Sequence, residues 1–207
     1  MTKSLRFALL AGAALVVAAG AGIVRAQSTP PDAPDPSQPP APARVRTSPH
    51  ETVGAVIGDR RTGPRITITY GRPFTKHPKS GEVRKIWGGL VAWDKPDRLG
   101  ADEATLLLTQ AALKFGDVTI PAGAYTLYIV PSETGVSRLA FSSALGKWGV
   151  PVDESRDVAR IALEKHTLAA PIDQLTIAVE GNSAGDGGLL KIAWETTQFA
   201  AAFTVAK

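Results

Sequence analysis

Arg65-Ile-Thr-Ile-Thr-Tyr70 decides the fold class. Ile66, Ile68 and Tyr70 fall on one side of an extended chain and Thr67 and Thr69 on the other. That alternation is a strand with one face in a core and one in water. Working outward, Thr105 to Ala112 is a longer apolar run and reads as a central strand. Asp117-Val-Thr-Ile-Pro-Ala-Gly123 is a short strand closing into a Pro/Gly turn, and Ala124-Tyr-Thr-Leu-Tyr-Ile-Val130 is the next, stopped by Pro131. Arg138 to Ser142 reads as its antiparallel partner across Ser132 to Gly135. Alternation returns at Ala159, Ile161 and Leu163, at Leu175, Ile177 and Val179, at Leu190, Ile192 and Trp194, and at Phe199, Ala201, Phe203 and Val205. No segment keeps a helical period over three turns; Phe141 to Trp148 and Glu82 to Trp87 each offer one short helical turn. Closely spaced strands joined by Gly-rich connections such as Glu180-Gly-Asn-Ser-Ala-Gly-Asp-Gly-Gly188 predict an all-β, single-domain antiparallel β-sandwich, jelly-roll-like or barrel-like. An α+β domain with one unseen helix is the alternative.

Ahead of this domain the composition changes twice. Lys3 and Arg6 precede an apolar stretch from Phe7 to Val24, and Val24-Arg25-Ala26 offers small residues for cleavage. Residues 1–26 therefore read as a secretory signal, cut before Gln27, with an uncleaved N-terminal anchor as the alternative. Residues 27–44 are Pro, Ala, Ser and Asp with almost nothing to bury, which predicts an extended, solvated linker. Residues 45–207 are the size of one domain. Export places the protein in the periplasm or outside the cell. The chain has no cysteine, so it is free of disulfides, carries no thiol nucleophile and cannot be a cysteine-anchored lipoprotein.

Charge excludes one partner class. The 23 basic and 19 acidic residues give +4. Three of those bases and no acid leave with the signal segment, so the mature chain is close to neutral. With no basic stripe interleaved with aromatics, nucleic acid is not an expected partner.

Several blocks resemble, in order, those of the bacterial domain of unknown function 2911 family, from Ser48 to about Val205. Ser48-Pro-His-Glu-Thr-Val53 is similar to that family's opening strand, Ile68-Thr-Tyr-Gly-Arg-Pro73 to its Tyr-Ser-Arg-Pro block, and Arg84-Lys-Ile-Trp-Gly-Gly-Leu-Val91 to its Arg-Lys-Ile-Phe-Gly segment. Arg98-Leu-Gly-Ala-Asp-Glu-Ala-Thr105 resembles the signature Trp-Arg-Thr-Gly-Ala-Asn-Glu-Ala-Thr. Pro121-Ala-Gly-Ala-Tyr-Thr-Leu-Tyr128, Lys147-Trp-Gly149 and Leu190-Lys-Ile-Ala-Trp-Glu195 match later landmarks. Asp97, Leu99 and Asp102 depart from the signature's Trp, Thr and Asn, altering size and adding charge. The resemblance implies an exported β-rich domain of unassigned function.

The candidate site follows from the polar packet Arg98 to Thr105, placed at the mouth of the apolar run Leu106-Leu107-Leu108. Arg98 pairing with Asp102 or Glu103 across Gly100, under Trp87 and Trp93, is most simply a corner-holding ion pair. The alternative is a ligand rim. There Arg72 and Arg98 supply forks for an anion, Trp87 and Trp93 a stacking wall for a sugar-like ring, and Asp102, Glu103 and His50 polar contacts. Adjacent carboxylates on an extended strand point to opposite faces, which argues against the paired acids of a glycosidase. His50 sits in Ser48-Pro-His-Glu51, where a one-turn cap also fits; His77 and His166 read as exposed. No metal-ligand spacing and no cofactor motif is present. Gly181-Asn-Ser-Ala-Gly185 comes closest to a nucleophile elbow, but it lies in a loop followed by strand. Trp194 alternates with Ile192 and belongs to the core. The expectation is a non-catalytic domain binding a small anionic or sugar-like ligand or an envelope partner. A hydrolase using Glu103 or Asp102 with a histidine or metal, and a structural envelope protein, are the alternatives.

Overall fold

The computed structural model describes residues 46–206. The expected signal (1–26) and linker (27–44) lie outside the described residues. Nine strands follow one another: β1 His50–Val56, β2 Arg65–Gly71, β3 Thr105–Thr109, β4 Leu113–Phe115, β5 Val118–Ile120, β6 Gly123–Val130, β7 Ser137–Ser142, β8 Asp157–Gly181 and β9 Gly187–Val205. They form one antiparallel succession, β1-β2-β3-β6-β7-β8-β9-β4-β5, running edge to edge without closing into a barrel. The expectation of an all-β, sandwich-like domain is met. Among the described residues the one helical element is a 3-10 turn, Glu154–Arg156, capped by Asp153.

Alternation in the sequence becomes burial in the fold. Ile66, Ile68 and Tyr70 of β2 are sealed, and so are Leu107, Leu127, Leu139 and Phe141 on neighbouring strands. Each such side chain stabilises the fold by roughly 1.5–3 kcal/mol relative to exposure. The sheet folds over along β8. Residues Asp157 to Leu163 pair with β7, and from Glu164 onward β8 pairs with β9. Phe115 of β4 then meets Phe141 of β7 at 5.7 Å between ring centroids, packing one layer on the other.

Three sequence expectations are corrected. The run Thr105 to Ala112 is not one strand. β3 stops at Thr109, whose hydroxyl donates to Ala111 O, and the chain turns before Leu113 joins β9 and β5. The four alternating segments after residue 157 are two strands rather than four, because β8 and β9 pair again on either side of register shifts between Thr167 and Thr176. In β9 the buried positions change phase, from Leu190, Ile192 and Trp194 to Phe199, Ala201 and Phe203. Glu195, at φ 55°, is the one-residue irregularity that makes this possible. Finally, neither Phe141 to Trp148 nor Glu82 to Trp87 is helical. The first begins inside β7, and the second ends where Trp87 bridges to Val91.

Candidate functional site

The segment Arg98 to Ala104 is held from both sides by glycines. A Cβ on Gly71, at the end of β2, would lie 2.2 Å from Ala101 O, and one on Gly149 would lie 3.0 Å from Arg98 Cβ. Leu99 takes φ 55°, an unfavourable value for a leucine, and is offset by three contacts. Its side chain is 2% exposed in the core, its N–H donates to Asp97 Oδ1 at 3.1 Å, and its carbonyl accepts from the buried Thr105 hydroxyl at 2.6 Å. The loop is therefore shaped before any partner arrives.

Arg98 does not make the expected ion pair. Its Nη1 donates to Asp102 O at 2.8 Å and its Nε to Gly100 O at 3.4 Å, and its guanidinium lies 5.4 Å from the Trp148 ring centroid. The reason is local: positive φ at Asp102 (61°) turns backbone carbonyls, not carboxylates, towards Arg98. The same bend overturns the argument that Asp102 and Glu103 face apart. Asp102 Oδ2 and Glu103 Oε2 both approach His50 Nε2, at 3.4 and 3.3 Å.

The cation that holds these carboxylates is Arg46, just before β1. It grips Glu103 with both Nη atoms, Nη2 at 2.7 Å from Oε1, and its Nη1 lies 3.7 Å from Asp102 Oδ2. Nη1 also donates to His50 Nε2 at 2.8 Å, so that nitrogen is the acceptor. The guanidinium lowers the Glu103 carboxyl to about 2, chiefly through the hydrogen bond, and Arg46 is raised in turn. Asp102 Oδ2 is buried and has no directed hydrogen bond among the described residues. Sequence reasoning missed Arg46 because it stands between the Pro-rich stretch and the first strand, outside every quoted block. Its only signal is an unpaired base four residues before His50.

Arg72 ties rather than binds. Its Nε is 3.2 Å from Glu51 Oε2 and donates to Leu175 O at 3.1 Å, while Nη2 donates to Thr176 Oγ1 at 3.0 Å, fastening the end of β2 to β8. Tyr70, two residues earlier in β2, does the same: its hydroxyl accepts from Ile177 N–H at 2.9 Å and donates to Glu51, and burial raises its ionisation to about 12. Trp87 is 4% exposed and packs edge-on against Phe199 and Trp194, with its indole N–H donating to Trp194 O at 3.1 Å. Trp93 stacks on Trp87 at 6.4 Å and is covered by Lys165 at 4.7 Å. Between two expected roles for these tryptophans, plugging the fold is the one their burial supports.

Two clefts flank the Arg98 loop. One, about 450 Å3, is lined by Arg46, His50, Tyr70, Glu103, Lys147 and Trp148 among others. The second, about 320 Å3, is lined by Arg98, Asp102, Asp97, Lys76, Arg84 and Trp194 among others. Arg84 is oriented like Arg98, by backbone carbonyls, donating Nε to Thr75 O and Nη2 to Phe74 O. Burial raises the Asp97 carboxyl against the opposing pull of the Leu99 N–H and of Arg98. The indole N–H of Trp194 has no acceptor among the described residues. Lys76, Arg84 and Asp97 are not among the expected site residues: Arg84 stands only in a family block, Asp97 only as a departure from the signature, and none in a recognisable chemical motif.

His77 and His166 sit apart from this end of the chemistry: His77 accepts from Ser80 in its own loop, and His166 lies beside Glu164. Gly181 to Gly185 lies where β8 turns into β9, as a hairpin loop. Among the described residues no group of three His, Cys, Asp or Glu side chains is arranged to hold a metal ion, and no helix is long and apolar enough to cross a membrane.

A family model, described as "Protein of unknown function (DUF2911)", matches residues 48–203. None of the curated proteins and none of the solved structures matches the chain.

Proposed function

The chain belongs to the DUF2911 family, and we propose that it is an exported, non-catalytic binding domain that takes a small anion-bearing ligand at the Arg98 loop. The observation that carries this reading is the state of Arg98. It makes no salt bridge among the described residues, two backbone carbonyls orient it, and it lines a cleft together with Lys76 and Arg84. A guanidinium held in place by carbonyls, with no carboxylate hydrogen-bonded to it, is prepared for an anion, because little ordering is left to lose on binding.

The hydrolase reading draws on the convergence of His50, Asp102 and Glu103. Against it stands the Arg46 clamp. A carboxylate held near 2 is a weak general base at neutral pH and no general acid at all.

Export and binding are tested separately. The intact mass of the protein recovered from the periplasm or medium should correspond to a chain starting at Gln27; a mass retaining residues 1–26 would point to an anchored form. For binding, melting midpoints of wild type and Arg98→Met are compared across carboxylates, phosphate and neutral sugars. Stabilisation of wild type by an anion, lost in Arg98→Met, is the expected result. Stabilisation by neutral sugars alone, equal in both proteins, would remove Arg98 from the site.

A further inference from the structure

We propose that the ligand of the 320 Å3 cleft is a singly charged organic acid with an apolar body, its carboxylate on Arg98 and Arg84 and its body against Phe74, Leu90 and Val150. This rests on the binding reading above and adds the ligand's chemistry.

The charge limit comes from the lining. Lys76, Arg84 and Arg98 are accompanied by Asp97 and Asp102, so the cleft offers a small surplus of positive charge rather than a cationic bowl. A multiply charged anion would bring its further charges against two carboxylates, and like charges at short range in a partly enclosed site repel strongly. One carboxylate suits the supply. Of the five N–H groups on each guanidinium, Arg98 uses one on Nε and one on Nη1, and Arg84 one on Nε and one on Nη2. Each retains N–H groups free for an acceptor, and paired N–H groups match the two oxygens of a carboxylate.

The apolar body comes from a second observation. Phe74, Leu90 and Val150 are 36%, 48% and 57% exposed, and all three line this one cleft. Val91 and Trp194, both buried, line it as well. Exposed apolar side chains gathered around a polar anchor mark a binding site more than a scatter of single residues does. The volume stands at the lower end of small-molecule sites, which run from roughly 300 to 1,000 Å3. The acid is therefore compact.

The test uses the mature chain with four probes: benzoate, citrate, inorganic phosphate and neutral benzyl alcohol. Affinity is read by calorimetry, and the site by the Trp194 indole N–H resonance, assigned as the signal missing from Trp194→Phe. Benzoate should bind at least tenfold tighter than the other three and shift that resonance. Arg98→Met should weaken benzoate at least tenfold, as expected for losing charge-assisted hydrogen bonds. Leu90→Asp, at an exposed position, should also weaken benzoate while leaving the melting midpoint of the free protein unchanged. If citrate or phosphate binds tighter than benzoate and depends on Arg98, this inference falls and the broader binding reading stands. Benzoate binding indifferent to both substitutions would overturn the inference by removing the cleft as its site. If none of the four probes binds, the inference falls; should the wider anion panel fail as well, the binding reading falls with it.

Discussion

The Trp87 corner and the Arg98 loop both gather aromatic and charged residues, and they are held in opposite ways. At the corner, Trp87, Trp93, Trp194 and Phe199 interlock, the Trp87 N–H is satisfied by a backbone carbonyl, and Lys165 merely covers the outer ring. Apolar area does the holding there. At the loop, two glycine contacts, a buried leucine and single hydrogen bonds fix the backbone, and the charged groups are left facing clefts. The corner spends its aromatic surface on stability. The loop keeps its polar groups available, which is what a recognition site requires.

If that contrast is right, truncating the corner should be the most damaging change. Trp194→Ala should cost about 3–5 kcal/mol in urea denaturation, the range for emptying a large aromatic site in a core. A loss below about 1 kcal/mol would mean the corner is not the source of stability. Next comes Arg72→Met, which removes a guanidinium that joins β2 to β8 through Glu51, Leu175 O and Thr176. About 2 kcal/mol is expected, since hydrogen bonds to charged groups contribute more than neutral ones. Arg98→Met should cost only about 1 kcal/mol, because the hydrogen bonds lost are to backbone carbonyls and no salt bridge is broken. It should also add to Glu103→Gln without coupling, since the two residues share no partner. Two large losses that fail to add would restore the ion pair that the geometry replaces.

The smallest effect is a pH dependence. Glu103 is ionised more readily in the fold than in the unfolded chain, so its contribution is present above the ordinary carboxylate value of 4.5 and is lost as pH falls from there towards about 2. Glu103 is well exposed, so the contribution is modest. Wild type should therefore exceed Glu103→Gln slightly at neutral pH and converge with it at strongly acidic pH. A gap that widens on acidification would contradict the Arg46 clamp.

How much of this was readable from the chain differs between the two regions. The corner's tryptophan at residue 194 follows from alternation with Ile192, because burial on a strand leaves a period of two in the sequence. The change of phase between Trp194 and Phe199 is also written there, yet it reads as two strands until the left-handed Glu195 is seen. The loop leaves no such trace. One left-handed residue, Asp102, redirects two carboxylates, and the arginine that receives them lies 57 positions away from Glu103. The resemblance to the family drew attention to the right segment and said nothing of its partners. Lys76, Arg84 and Arg98 meet only because separate loops are brought to one end, and no local pattern encodes that meeting.

The long strand β8 has a consequence for how the domain comes apart. Its first residues are hydrogen-bonded to β7 and most of those after Leu163 to β9, so opening either layer pulls on a strand that the other also holds. Amide exchange in the two layers should therefore proceed through one shared opening event rather than two independent ones. For a domain carried behind a proline-rich segment, this means that proteases meet either the whole structure or none of it.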